Sequence, residues 1–325
     1  MNKVIRIGTR DSQLAVWQAT RVKELLEQNN FEAELIPIKS EGDIDLSTPL
    51  YEMGVQGIFT RSLDIALLNK NIDVAVHSMK DVPTQLPTGI AQCAVLPRAS
   101  YKDVLVYKDE LATISNELGF AHGKWSAVDQ SITDSILSFT VATSSTRRKA
   151  QWLNRYPGHT VENLRGNINT RLRKVQENDW RGAIFAAAGL ERINLRPENS
   201  IELDWMLPAP AQGAIVVVCR QQDDFVLNAC NYFNDADTAL CAKLERDFLR
   251  TLMGGCSTPI SALAQIKNAA LSFKGNILSL DGKEKVAIEK NLPVADADDI
   301  GKKAAEELLA NGGKEIADKI QHAER

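Results

Sequence analysis

The chain has 325 residues, 44% apolar and 25% charged, a balance that fits a soluble globular protein of two or three domains and excludes a disordered one. Its formal net charge is -4, from 38 basic and 42 acidic side chains, so it is no bulk binder of nucleic acid or another polyanion. No apolar run approaches the roughly 18 residues of a membrane span, and Met1–Thr9 has no apolar signal-peptide core; a cytoplasmic location is expected.

Val4–Ile7 predicts a short strand. Ala15, Ala19, Val22 and Leu26 follow at helical spacing, with Asp11 or Ser12 as the cap. Glu34–Ile38 reads as a strand whose Pro37 argues for a sheet edge. Thr60 is placed to cap a helix carrying Leu63, Ala66 and Leu67, and Asp73–Val76 is a buried strand running into His77-Ser78-Met79-Lys80-Asp81. Residues 113–138 show weak periodicity and read as an insertion or mobile loop. The strand–helix pattern restarts with Phe139–Ala142, a Thr143-Ser144-Ser145 turn and a Thr146–Asn154 helix. A strand ending near Leu164 precedes Arg165-Gly166-Asn167 and a helix to about Glu177, and Gly182–Ala187 is again a strand. Such alternation predicts α/β layers with largely parallel sheets.

Two Pro-rich stretches, Leu96–Ser100 and Leu207–Gly213, read as crossings between lobes, with Ile215–Cys219 returning to complete the first sheet. A ligand cleft between two α/β lobes follows. After Asp237 the pattern changes to a helix ending at Gly254-Gly255, short strands at Ile260–Gln265, Leu271–Gly275 and Val286–Lys290, and a last helix ended by Asn311-Gly312-Gly313. The expected domains are 1–98 with 214–232, then 99–213, then a small α+β domain over 236–325.

Residues 141–200 carry eleven basic against five acidic side chains, a net +6 inside an acidic protein, whereas residues 1–60 sum to -3. That asymmetry suggests a local site for a small anion. Gly8-Thr9-Arg10-Asp11-Ser12 and Thr143-Ser144-Ser145-Thr146-Arg147-Arg148 each open a helix after a strand. Their hydroxyls and amides suit an anion, although Ser and Thr are also ordinary caps. Arginines in a first helical turn oppose the helix dipole, a cost that makes sense if they clamp a carboxylate or phosphate. Arg165 and Arg171, about the flexible Gly166, extend the same cationic group. A nucleotide fits less well, because neither phosphate-loop glycine pattern is present. Lys80 and Asp81 stand at a strand C-terminus, where catalytic groups often lie, or form a plain surface turn. His77 has no second metal ligand at suitable spacing, so no metal site is expected. The five cysteines, Cys93, Cys219, Cys230, Cys241 and Cys256, contain no CxxC pair, which fits neither a disulfide framework nor structural zinc. Cys256, after Gly254-Gly255, is the one on a glycine-rich loop open to attachment.

Val76-His77-Ser78-Met79-Lys80-Asp81-Val82-Pro83, Leu164-Arg165-Gly166-Asn167, Pro210-Ala211-Gln212-Gly213-Ala214 and Gly254-Gly255-Cys256, in this order, closely resemble the porphobilinogen deaminase family, and the likeness runs over nearly the whole chain. The resemblance implies two lobes like type II periplasmic binding proteins around a cleft, plus the small C-terminal α+β domain. It implies a transferase that joins four porphobilinogen molecules head to tail, releases ammonia and yields the linear tetrapyrrole hydroxymethylbilane. The growing chain would stay on a dipyrromethane cofactor held by a thioether to Cys256. Asp81 matches the carboxylate that faces the pyrrole N–H groups, steadies cationic states and moves protons. Arg10, Ser12, Ser78, Lys80, Thr143, Ser145, Arg147, Arg148, Arg165, Arg171 and Arg192 match positions that bind the many acetates and propionates, with Gly166 beside them. Phe59 matches an aromatic packed by the cofactor, and Gln18 a polar cleft residue. Glu52 and Gln56 depart from lysines common in bacterial members, Thr146 replaces a common leucine and Ala142 a common glycine, and the insertion over 113–138 is longer than usual. A monomer without nucleic-acid or membrane partners is expected. The competing readings are a two-lobed small-anion-binding module without catalysis, which would lack a covalent pyrrole adduct, and a cysteine hydrolase, which would need a base near Cys256.

Overall fold

The computed structural model describes residues 3–39, 60–121, 123–126, 139–252 and 258–323. In chain order the elements begin with β1 (Ile5–Thr9), α1 (Gln13–Gln28), β2 (Ala33–Pro37), α2 (Arg61–Leu68), β3 (Val74–Ser78), a 3-10 turn at Met79–Asp81 and β4 (Ile90–Val95). Next come β5 (Asp103–Tyr107), α3 (Leu111–Leu118), β6 (Phe120–Ala121), β7 (Lys124–Trp125), β8 (Thr140–Ala142), α4 (Thr146–Arg155), β9 (Thr160–Glu162), α5 (Ile168–Glu177), β10 (Gly182–Ala186), α6 (Ala187–Arg192) and β11 (Ser200–Glu202). The chain continues through β12 (Ile215–Arg220), α7 (Asp224–Asn231) and α8 (Ala236–Thr251). It ends with β13 (Ile260–Lys267), β14 (Ala270–Leu278), β15 (Lys285–Pro293), α9 (Ile300–Leu308) and α10 (Lys314–Ala323).

The first sheet has the order β2-β1-β3-β12-β4 and the second β11-β5-β10-β8-β9. Each buries an apolar layer on both faces: Ile5, Ile7, Val76 and Val217 on one side of the first sheet and Ala75, Val216 and Val218 on the other. The second sheet does the same with Leu105 and Ile184 against Val104, Ala183 and Phe185. β2 is an edge strand, as Pro37 requires. The sheets are mixed rather than largely parallel. β1 pairs in parallel with β2 and β3, but the returning β12 runs antiparallel to β3 and β4. In the second sheet β5, which enters from the first crossing, runs antiparallel to β10. The result is two α/β lobes with a small α+β domain, in which β13, β14 and β15 form an antiparallel sheet under α8 and α9.

Two further sequence readings need correction. The start of the 113–138 segment is ordered structure rather than loop. α3 buries Ile114 and Leu118 at i,i+4 spacing, Gly119 ends it in the left-handed region (φ +68), and β6 and β7 pair as a hairpin. Residues 122 and 127–138 lie outside the described residues. At the C-terminus, Asn311 and Gly312 (φ +99) do break the helix that carries Ala304 and Leu308, but that helix is not the last: α10 follows with Ile316, Ala317 and Ile320 buried.

Candidate functional site

The first lobe contributes the C-terminal end of β3 and the N-terminus of α1. The Ser12 side chain caps α1 by accepting from Ala15 N at 3.3 Å. Buried Gln18, one turn further, donates Nε2–H to Ser78 Oγ at 2.9 Å and ties the helix to the strand end. Met79 N bonds to the Ala214 carbonyl at 3.0 Å, so the turn bearing Lys80 and Asp81 is registered on the returning strand. It is also held from outside the lobe. Arg246 of α8 donates to the carbonyls of Met79 (3.2 Å), Val82 (2.9 Å) and Pro83 (2.5 Å). Burial, aided by Arg10, holds the His77 imidazole down at about 4, so the ring is neutral near pH 7.

The second lobe contributes two helix N-termini. Ser145 caps α4 by accepting from Arg148 N at 3.4 Å, while Thr143 Oγ1 accepts from Ser145 N at 3.2 Å. Asn167 caps α5, accepting from Thr170 N at 2.9 Å. Gly166 has φ +112, and a Cβ there would meet Thr170 at 2.7 Å, so this turn requires glycine. Arg171 Nε–H donates to the Gly166 carbonyl at 2.7 Å.

Arg147 and Arg148 are almost wholly buried and share a carboxylate absent from the sequence reading, Asp103 at the start of β5. Arg148 donates Nε–H (3.0 Å) and Nη2–H (2.7 Å) to Asp103 Oδ1, and Nη1–H to the Ile184 carbonyl at 2.9 Å. Arg147 Nη1 lies 2.8 Å from Asp103 Oδ2 and donates to the Leu207 carbonyl at 2.8 Å. Burial alone would raise the Asp103 carboxyl, yet the two guanidiniums hold it well below the usual range. Asp103 left no local signal, because its partners are on a helix 45 residues further along.

Electrostatics bring the lobes' groups to one place. Burial, then Arg148, push the Lys80 ammonium down to about 8, while Asp81, Asp103 and Arg147 also act on it. Burial, then Arg148 and Arg165, push the Arg171 guanidinium down to about 10, opposed by Asp81. Lys80 of the first lobe is thus within electrostatic reach of Arg147 and Arg148 of the second, and Asp81 within reach of Arg171. Burial is the larger part of that shift and the neighbouring guanidiniums add to it, so a carboxylate-rich ligand would offset both. A dipyrromethane group bearing acetates and propionates fits that requirement, together with the N-termini of α4 and α5.

Arg192 donates Nη2–H to the Gly213 carbonyl at 2.7 Å, and its guanidinium lies 5.8 Å from the centre of the Trp17 ring, so it joins the lobes beside the second crossing. Burial pushes it down to about 10. Arg10 is near enough to His77 to act on it. Phe59, Cys256, Glu52 and Gln56 lie outside the described residues. Among the described residues no group of His, Cys, Asp and Glu could hold a metal ion, and no helix is long and apolar enough to cross a membrane.

The family model described as "Porphobilinogen deaminase, dipyromethane cofactor binding domain" matches residues 5–228, and the one described as "Porphobilinogen deaminase, C-terminal domain" matches residues 239–310. A protein of Syntrophotalea carbinolica named porphobilinogen deaminase is 39% identical over 319 residues, covering 97% of this chain and 95% of the relative. One of Geobacter sulfurreducens is 38% identical, covering 98% and 96%. A rice relative, named porphobilinogen deaminase, chloroplastic, is 38% identical, covering 98% of this chain and 87% of its own. With residues 5–228 and 239–310 matched by the two family models and relatives aligned over 95% or more of this chain, the chain belongs to the porphobilinogen deaminase family.

Proposed function

We propose that this chain condenses four porphobilinogen molecules into hydroxymethylbilane in the cleft between its lobes, with Asp81 as the catalytic residue. The observation that supports the site assignment is that, across the lobes, Lys80 lies within electrostatic reach of Arg147 and Arg148, and Asp81 within reach of Arg171. Family membership supports catalysis over a binding module that only shares the cleft.

A dipyrromethane group attached through Cys256 supplies a covalent primer with its own carboxylates. Arg10, Ser12, Ser78, Lys80, Thr143, Ser145, Arg147, Arg148, Arg165, Arg171 and Arg192 are assigned to carboxylates of that group and of porphobilinogen, with Gly166 letting backbone approach them. Arg148 retains N–H groups beyond those given to Asp103 and Ile184, so it can do both tasks. As ammonia leaves the substrate, positive charge develops on its pyrrole. The Asp81 carboxylate stabilises that charge, accepts the pyrrole N–H and can take up the α-carbon proton after coupling. Gln18 orients Ser78, and Phe59 is assigned to packing against the pyrroles.

The deciding experiment is the intact mass of protein from cells able to make porphobilinogen. The wild type should exceed its sequence mass by two linked pyrrole units, and Cys256→Ser should lack the increment. An unmodified, inactive wild type would overturn the reading. The domain limits 1–98 with 214–232, 99–213 and 236–325, a monomeric state, the absence of a nucleic-acid partner and a cytoplasmic location belong to the same proposal. Limited proteolysis, light scattering, gel shift and cell fractionation check them.

A further inference from the structure

Gln212 belongs to the second crossing, between lobes, and is fully buried. Its carboxamide is used at both ends. Nε2 donates to Asp103 Oδ1 at 2.9 Å and to the Tyr101 carbonyl at 2.7 Å, while Oε1 accepts from Lys80 Nζ at 3.2 Å. The orientation has one solution, since an ammonium has no lone pair to offer, and a carbonyl and an ionised carboxylate have no proton to offer. The backbone around the side chain is pinned as well. Gly213 has φ +88 and its Cβ position would fall 2.6 Å from the Ala99 carbonyl oxygen. Ala211, at φ +61, donates its N–H to Glu245 at 2.6 Å. One rigid amide therefore joins a first-lobe cation to the carboxylate that holds both second-lobe arginines.

We propose that Gln212 and Asp103 are positioning residues for the polymerisation: they set Lys80 of the first lobe against Arg147 and Arg148 of the second, so that one carboxylate-binding array forms across the cleft. This rests on the reading of Lys80, Arg147 and Arg148 as carboxylate binders. Asp103 orients the guanidiniums and balances their charge when no substrate carboxylate is present. Gln212 passes that restraint to Lys80 across the crossing.

The groups acting on Lys80 are Arg148 and Arg147 from α4, Asp103 from β5 and Asp81 from its own turn. As an ammonium it binds carboxylate below about pH 8 and loses that ability above it. Removing the charge of Asp103 leaves two guanidiniums opposed by Asp81 alone among these groups, so Lys80 sheds its proton at lower pH. Removing the Gln212 acceptor acts in the same direction.

The test measures kcat and KM for porphobilinogen on both sides of pH 8 with cofactor-loaded wild type, Asp103→Asn, Gln212→Leu and Lys80→Arg. Loading is verified by intact mass and folding by thermal melting. In the wild type kcat/KM should fall through an alkaline limb, and Lys80→Arg should flatten it, because guanidinium stays charged. Asp103→Asn and Gln212→Leu should move the limb to lower pH and raise KM by roughly tenfold, with a smaller change in kcat. A limb left in place in both variants, or one that survives Lys80→Arg, overturns the proposal. So does a loss of kcat with the limb unmoved, which is what a purely structural role would give. If Asp103→Asn does not fold, Gln212→Leu decides by the same criteria. A wild type that lacks the pyrrole adduct and makes no hydroxymethylbilane would instead overturn the functional reading, whatever the variants do.

Discussion

At the scale of single residues, chemistry and support are divided between different side chains. Asp81 acts electrostatically on both Lys80 and Arg171, and so stands where charge from the two lobes converges. Asp81→Asn keeps the shape and removes the charge. It should fold, retain the pyrrole adduct by intact mass and lose about 10²–10⁴-fold in turnover, as expected when a positioned proton carrier is lost. Near-normal initial rates would remove Asp81 from the catalytic role. Ser12, Ser145, Arg147, Arg148, Arg165 and Arg171 were legible as candidates because capping hydroxyls and clustered cations sit beside each other in the chain. Asp103 was not legible. A lone aspartate at a strand start becomes a counter-ion only when folding brings α4 against it. Arg192 shows the converse: its contacts with Gly213 and Trp17 describe a link between lobes, which local charge does not reveal.

At the scale of elements, hydrophobic period made most strands and helices legible. α1 buries Ala19, Val22 and Leu26 as its spacing required, and β3 is a continuous buried run. Strand direction was less legible, because the antiparallel course of β5 and β12 follows from the two crossings and not from composition. The glycine pair does stop a helix, but the further helix beyond it was hidden because its stability comes from tertiary packing of Ile316 and Ile320. The support of the 79–83 turn by α8 was also invisible, since Arg246 lies over 160 residues from the carbonyls it meets. Charged hydrogen bonds of this kind are worth about 1.5–3 kcal/mol each in net terms. Arg246→Met should lower stability by roughly 2 kcal/mol in urea unfolding and, because the turn carries Lys80 and Asp81, cut kcat by about tenfold or more. A stability loss with unchanged kcat would show that the turn holds its shape alone.

At the scale of the whole molecule, Glu245 is the common point of all three bodies. It is fully buried and accepts from Arg98 Nη1 (2.5 Å) and Nη2 (3.0 Å) at the first crossing, from Ala211 N (2.6 Å) at the second, and from Ala264 N (2.7 Å) in β13. Glu245→Ala leaves a partly buried guanidinium and two backbone N–H groups without their carboxylate acceptor. It should cost about 3–5 kcal/mol, read as a lower urea midpoint, and replacing Arg98 by Met in the same chain should recover part of the loss. A single variant as stable as wild type would show that the crossings are held by packing instead. The C-terminal domain also reaches the second lobe. Asn154 of α4 donates to the Gly282 carbonyl at 2.7 Å, Gln151 donates to Ser261 Oγ at 3.0 Å, and a Cβ on Gly282 would meet the Ala150 carbonyl at 2.4 Å. A two-lobed receptor can swing like the covers of a book about one spine. Here the turn beside β15 wedges against α4 while Arg246 grips the 79–83 turn, so the three bodies close a triangle. Parting any two of these bodies therefore means breaking hydrogen bonds at the boundary they share, so each seam resists opening on its own account.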